Sequence, residues 1–132
     1  MTTTAEVVAV GVRQLSGPDR ENAYHRLLDL GEAALPFLAK ALELEANTSV
    51  RSTLVEIVWH TRSANALPLL AHCLQDSDPY VWKAALDGLV TLGGSSALGV
   101  LEGSKQGSNS EKLECIQEAL DQVREQMTDG SA

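Results

Sequence analysis

Residues Asp76 to Gly93 read DSDPYVWKAALDGLVTLG. An Asp/Pro turn leads into a run with Val81, Ala84, Ala85, Leu86, Leu89 and Leu92 at helical spacing, and Gly93-Gly94 ends it. Proline suits the first turn of a helix, where its missing N–H has no intrahelical partner. Glycine suits the end, where a residue with positive φ closes the last turn. Variants of this stretch recur. Leu30-Gly31, Thr61-Arg62 and Leu92-Gly93 are spaced by 31, and Val50-Arg51 matches Val81-Trp82 at the same spacing. Ala34-Leu35-Pro36-Phe37-Leu38 returns as Ala66-Leu67-Pro68-Leu69-Leu70 and, more weakly, as Ala97-Leu98-Gly99-Val100-Leu101. Ala23, Leu54, Ala85 and Ile116 line up, as do Leu27, Val58, Leu89 and Leu120. Two independent landmarks sharing one period identify an internal repeat.

Each unit is an A helix beginning near Ala-Leu-Pro, a turn, and a B helix beginning near Asp/Ser-x-x-Val. One such hairpin cannot bury its apolar face alone, whereas stacked neighbours share a continuous core. The spacing predicts A helices over Ala5–Leu15, 33–43, 65–74 and Ala97–Glu102. It predicts B helices over Asp19–Leu30, Ser49–His60, Pro79–Leu92 and Glu111–Met127. The β-branched run Val50, Val55, Ile57, Val58 has strand-like composition, but the repeat register requires a helix there. Ser16, Ser49 and Ser110 precede helices and read as N-caps. The segment from Gly103 to Ser110 is small and polar and reads as the most flexible internal stretch. Residues 128–132 read as a disordered tail.

The pattern resembles HEAT repeats, particularly the short bacterial HEAT-like or phycobilin-lyase type. Asp76, Pro79, Val81, Ala85, Leu89 and Gly93 carry the resemblance; Arg51 keeps the arginine usual after the valine, and Trp82 replaces it. It covers roughly residues 4 to 126 and implies a single domain, a right-handed all-α solenoid with units of about 4–31, 32–62, 63–93 and 94–127. It also implies that the B helices line the concave, partner-binding side, and that Arg51 pairs with an acid in a turn, Asp76 and Asp78 being nearest.

At 132 residues the chain has the length of one domain. Aromatics are scarce at 4%, so the core must be built from Leu, Val and Ala. Eighteen acids against ten bases give a net charge of −8. That disfavours nucleic acid and membrane surfaces, both polyanionic, and favours a basic protein partner. No stretch approaches the roughly 20 apolar residues of a membrane helix, and no signal peptide is visible, so the expected location is cytoplasmic. Cys73 and Cys115, in different repeats, read as free thiols. No metal site or cofactor is expected: there is no HExxH, CxxC or phosphate-cradling glycine loop. His60 and Glu56 form an i, i+4 pair, but no third group orients it for catalysis. A non-enzyme is expected, a monomer or weak dimer.

The informative surface is the B-helix face. One row reads Glu21, Ser52, Lys83, Glu114; the next reads His25, Glu56, Asp87, Glu118; the row of the arginine reads Arg20, Arg51, Trp82, Leu113. An acidic band with a tryptophan near its middle results. Trp82 and Tyr80 belong to the residue types enriched at binding hot spots, while Trp82 has the alternative of packing over the next repeat. Trp59, in line with Leu28 and Val90, reads as core. The expected function is a protein-interaction module that uses Trp82, Tyr80, Lys83, Glu56, Asp87, His60, Glu118 and Arg51. Two alternatives are an immunity or inhibitor protein that blocks a basic toxin or enzyme site, and a bilin-lyase-like protein that handles a chromophore.

Overall fold

The computed structural model describes residues 2–130, without the side chains of residues 129 and 130. Among the described residues eight α-helices follow one another: α1 (Thr4–Gln14), α2 (Arg20–Leu30), α3 (Leu35–Leu44), α4 (Thr48–His60), α5 (Leu67–Cys73), α6 (Pro79–Leu92), α7 (Gly94–Gly103) and α8 (Ser110–Gly130). Short 3-10 turns, Gly31–Ala34 and Ala64–Ala66, lead into α3 and α5. Consecutive helices pair as hairpins, α1 with α2 through α7 with α8. The even-numbered helices then stack in order, α2 on α4, α4 on α6 and α6 on α8, forming a B layer. The odd-numbered helices form an A layer, in which α1 packs on α3 and α5 on α7.

The 31-residue register is the register of burial. Ala23, Leu54, Ala85 and Ile116 are fully buried, and so are Leu27, Val58, Leu89 and Leu120. In the A layer the same holds for Ala34, Ala66 and Ala97, and for Leu38, Leu70 and Leu101. The core is accordingly aliphatic, and no hairpin encloses it alone. The valine-rich α4 is helical because Val50, Val55, Ile57 and Val58 all point into this core, where burial outweighs a few tenths of a kcal/mol of helix propensity per residue.

Helix ends differ from the sequence reading in instructive ways. The caps of α4 and α8 are asparagines: Asn47 Oδ1 accepts from the Val50 amide at 3.1 Å and Asn109 Oδ1 from the Lys112 amide at 2.9 Å. Ser49 lies inside α4 and Ser110 opens α8, while Ser16 donates back to the Arg13 carbonyl. Asp78 caps α6 by accepting from the Tyr80 amide at 2.8 Å. Helix α7 begins at Gly94, three residues before the expected start, and α8 continues to Gly130, through the first three residues of the expected tail; Ser131 and Ala132 lie outside the described residues. The glycine-serine segment after α7 is tied down: Ser104 is buried and its hydroxyl donates to the Val100 carbonyl, and the Ser108 hydroxyl donates to the Ser104 carbonyl, both at 2.8 Å.

The equivalent position after each of the first three B helices has positive φ: +63° at Gly31, +58° at Arg62 and +64° at Gly93. Only Arg62 carries a Cβ there, a conformation that costs an L-residue roughly 1–2 kcal/mol. Arg62→Gly is therefore expected to raise stability by about 1 kcal/mol in urea unfolding, with no change in circular dichroism. A second glycine is required for a different reason. Gly88, inside α6, lies against the Trp59 ring of α4, and a Cβ there would sit 2.6 Å from Trp59 Cγ and Cδ1. Alanine is the better helix former by about 1 kcal/mol, yet Gly88→Ala should destabilise by about 1–3 kcal/mol because the indole must be displaced. Thermal unfolding reads the sign directly.

Candidate functional site

Two basic side chains stitch the layers together. Arg51, near the start of α4, donates through Nη1 to the Glu45 carbonyl at the end of α3 (3.2 Å) and through Nη2 to Asp76 Oδ2 just after α5. Its Nε is enclosed without an acceptor among the described residues. Asp76 Oδ1 accepts from the Asp78 amide at 2.9 Å, so one carboxylate orders both the turn and the guanidinium. Further along the B layer, Lys112 of α8 donates Nζ to the Leu74 carbonyl at the end of α5. Burial pushes its ammonium down, and the Asp76 charge opposes that. Orphan carbonyls at helix C-termini favour cations, which is where both side chains reach.

Trp82 lies beside the second of these stitches. It is 3% exposed, with the ammonium groups of Lys83 and Lys112 each 5.5 Å from the ring centroid. Lys83 also meets Glu111 of α8 at 3.2 Å. Tyr80, at 75% exposure, extends into solvent.

The B layer exposes an acidic face. Glu21, Glu56, Asp87, Glu114 and Glu118 are all exposed, and none forms an ion pair among the described residues. Partial burial pushes the Asp87 carboxyl up. Between α2 and α4 this face sinks into a hollow of about 610 Å³, floored by Leu15, with Glu21, Tyr24 and His25 on one side, Thr53 and Glu56 on the other, and Arg20 among the lining. Tyr24 is half-buried in its wall. Its ring meets His25 edge-on at 5.6 Å and His60 edge-on at 6.4 Å. Burial and the Glu56 charge push its phenol up. His60 stacks on Trp59 at 4.1 Å, and its Nδ1 lies 2.6 Å from the Glu56 backbone carbonyl.

The A layer has a feature of its own. Helices α3 and α5 make no extensive contact, although α1–α3 and α5–α7 do. A groove of about 880 Å³ runs between them. Leu35, Ala39 and Leu42 of α3 and Leu69 and Cys73 of α5 line it, with Pro36 and Pro68 at the helix starts and Glu32, Glu43 and Asp76 as its acids. Burial and the Asp76 charge push the Cys73 thiol up to about 11, against which the Arg51 charge works weakly. Cys115 is half-buried and also free. Among the described residues no three His, Cys, Asp or Glu side chains are grouped to hold a metal ion, and no helix is long and apolar enough to cross a membrane.

A profile of the family described as HEAT repeats matches residues 35–121, about two thirds of the chain. This chain belongs to the HEAT-repeat family. The HEAT match spans the part in which hairpins α3–α4 and α5–α6 carry the clearest repeats. Among solved structures, the HEAT stack is similar to that of human deoxyhypusine hydroxylase in complex with glycerol, with a TM-score of 0.74 and 23% identity over 96% of this chain and 46% of that one. The chain thus spans less than half of that structure, and the likeness at this identity is one of fold. No curated protein matches the chain in sequence.

Within the HEAT framework the expected site residues divide. Glu56, Asp87, Glu118, Lys83 and His60 share the exposed B-helix face. Trp82 does not: it is a core residue. This corrects the hot-spot reading and agrees with the alternative of packing over the next repeat, since the indole lies in a row that faces the next B helix, α8, whose Lys112 sits 5.5 Å from the ring. His60 approaches the backbone of Glu56 and not its carboxylate. Arg51 makes the expected turn ion pair, with Asp76 rather than Asp78. Tyr24 and the A-layer groove were absent from the sequence reading. Tyr24 follows Ala23 of the buried register, and that one-residue offset was the only signal available for it.

If Arg51 holds α3 and α5 together, Arg51→Met should destabilise by about 2 kcal/mol, the scale of lost hydrogen bonds to charged groups. With Asp76→Asn the losses should be non-additive, because each single change already breaks the shared contact. Urea denaturation of the four-member cycle measures this, and additive losses would disprove the coupling.

Proposed function

We propose that this HEAT stack is a non-enzymatic protein-interaction module that takes a basic segment of a partner along the B-helix face. One observation carries the reading. Four surface bases already have acidic partners, Arg26 with Asp19, Lys83 with Glu111, and Lys105 and Arg124 with Glu102, while Arg13, Arg20, Lys40 and Arg62 have no ion pair among the described residues. The acids Glu21, Glu56, Asp87, Glu114 and Glu118 of the B layer have none among the described residues. Like charges held on adjacent rigid helices repel, and an incoming cation relieves that repulsion as it binds. The hollow around Tyr24 adds relief to this face, offering apolar contact beside carboxylates to an arginine or lysine stem. The net charge of −8 supports the same choice of partner over a polyanion.

The test uses a fluorescein-labelled twelve-residue Arg/Lys-rich peptide and three forms of the full chain. The B-face variant is Glu56→Gln, Asp87→Asn, Glu118→Gln. The charge-matched control is Glu6→Gln, Glu45→Gln, Glu102→Gln, all outside the B layer. The expected result is about tenfold weaker binding for the first and less than twofold for the second, given 0.2–1 kcal/mol for each exposed charge. The affinity should fall as salt rises. Equal losses in the two variants, with both folded, would reduce the effect to net charge and remove the B face from the account.

A further inference from the structure

The groove between α3 and α5 lies in the other layer and shares none of the acids just invoked. Its two ends are closed and its middle is open. At one end Asn65, in the turn before α5, donates to Glu32, in the turn before α3, at 2.9 Å. At the other end Arg51 reaches from α4 to the Glu45 carbonyl after α3 and to Asp76 after α5. These ties resist both collapse and widening. Between them the ten-residue α3 sets a length of about 15 Å at 1.5 Å per residue.

The surface inside that frame carries an apolar strip, with His72 and Gln75 also among the lining. Ala39 and Leu69 are half-buried and Pro36 and Pro68 exposed, over the buried Leu35 and Leu42. On α3 the positions 35, 39 and 42 form one stripe, i, i+4, i+7. The lining contributes three carboxylates, Glu32, Glu43 and Asp76, and one arginine, Arg51, which Asp76 already neutralises. Glu43 has no ion-pair partner among the described residues.

From this geometry and charge we infer that the α3–α5 groove is a second docking site, and that it takes a short amphipathic helix with basic flanks from a partner protein. The apolar strip calls for two to three turns with apolar side chains at i, i+4 and i+7, the helix-in-groove mode of recognition. The acids at its edge select lysine or arginine in the flanking turns. The closed ends limit the contact to about ten residues.

The probe is a labelled synthetic helix with leucines at i, i+4 and i+7 and lysines in its flanks, beside a copy with glutamates in the flanks. Both are titrated into the full chain by fluorescence anisotropy. The lysine-flanked helix should bind saturably and at least tenfold more tightly than its glutamate copy. Pro68→Arg, an exposed change in the first turn of α5, should weaken binding at least tenfold. Ala39→Arg should do the same; if it fails to fold, Pro68→Arg decides. Glu56→Gln, Asp87→Asn, Glu118→Gln should change binding less than twofold, which separates this site from the B face. Absence of saturable binding, equal affinity for the two helices, insensitivity to Pro68→Arg, or loss in the B-face variant instead would each overturn the proposal.

Discussion

Everything in this molecule hangs on the packing of α4 against α6. The two helices present the same positions at a spacing of 31 residues, so Val50 and Val81, Leu54 and Ala85, and Val58 and Leu89 enter one core at matching heights. The contact is keyed as well as apolar. Trp59 of α4 occupies the space where Gly88 of α6 lacks a side chain, while the residue one repeat before Gly88 is the buried Ile57. A change of register would set the indole against side chains. The outer hairpins then attach to a surface already formed: α2 to α4 on one side and α8 to α6 on the other. This is the nearest-neighbour logic of a repeat stack, in which no hairpin stands alone.

The layers solve their polar problems differently, and their surfaces follow from that. Where the ends of A helices would leave carbonyls without donors, B-helix cations supply them: Arg51 to Glu45 and Lys112 to Leu74. Those cations are consequently unavailable to neutralise the outer face of the B layer, where the carboxylates stand unpaired. The same stitching by Arg51 joins the ends of α3 and α5 while leaving their middles apart. An acidic face and an apolar groove are thus two outcomes of one arrangement.

The fold was legible because the repeat appears twice over in the sequence, once in the helix-ending positions and once in the buried rows. Burial then made helix out of the β-branched run in α4, as the register required. The exposed acids were legible for the same reason, since position in the register fixes which face a residue occupies. What escaped were matters of neighbour identity. Trp82, in a row with Arg20 and Arg51, read either as a surface anchor or as packing over the next repeat; the structure buries it, with Lys112 of α8 beside the ring. Tyr24 escaped because its importance comes from His25 on its own helix and His60 on the next. The groove escaped because the spacing of two helices depends on what fills the space between them, which no single residue announces. Two capping serines were misassigned for a smaller reason: Asn47 and Asn109, equally good caps, stand one or two positions earlier and their side chains accept from the Val50 and Lys112 amides.

Native-state hydrogen exchange, resolved helix by helix on the full chain, tests the account most directly. If the α4–α6 contact is what the rest depends on, amides of α4 and α6 exchange slowest and together, with the free energy of global unfolding. The amides of α1 and α7 then exchange faster, through local opening of the outer hairpins. If α1 or α7 matched the protection of α4 and α6, or if α4 opened independently of α6, the stack would not be built around that contact.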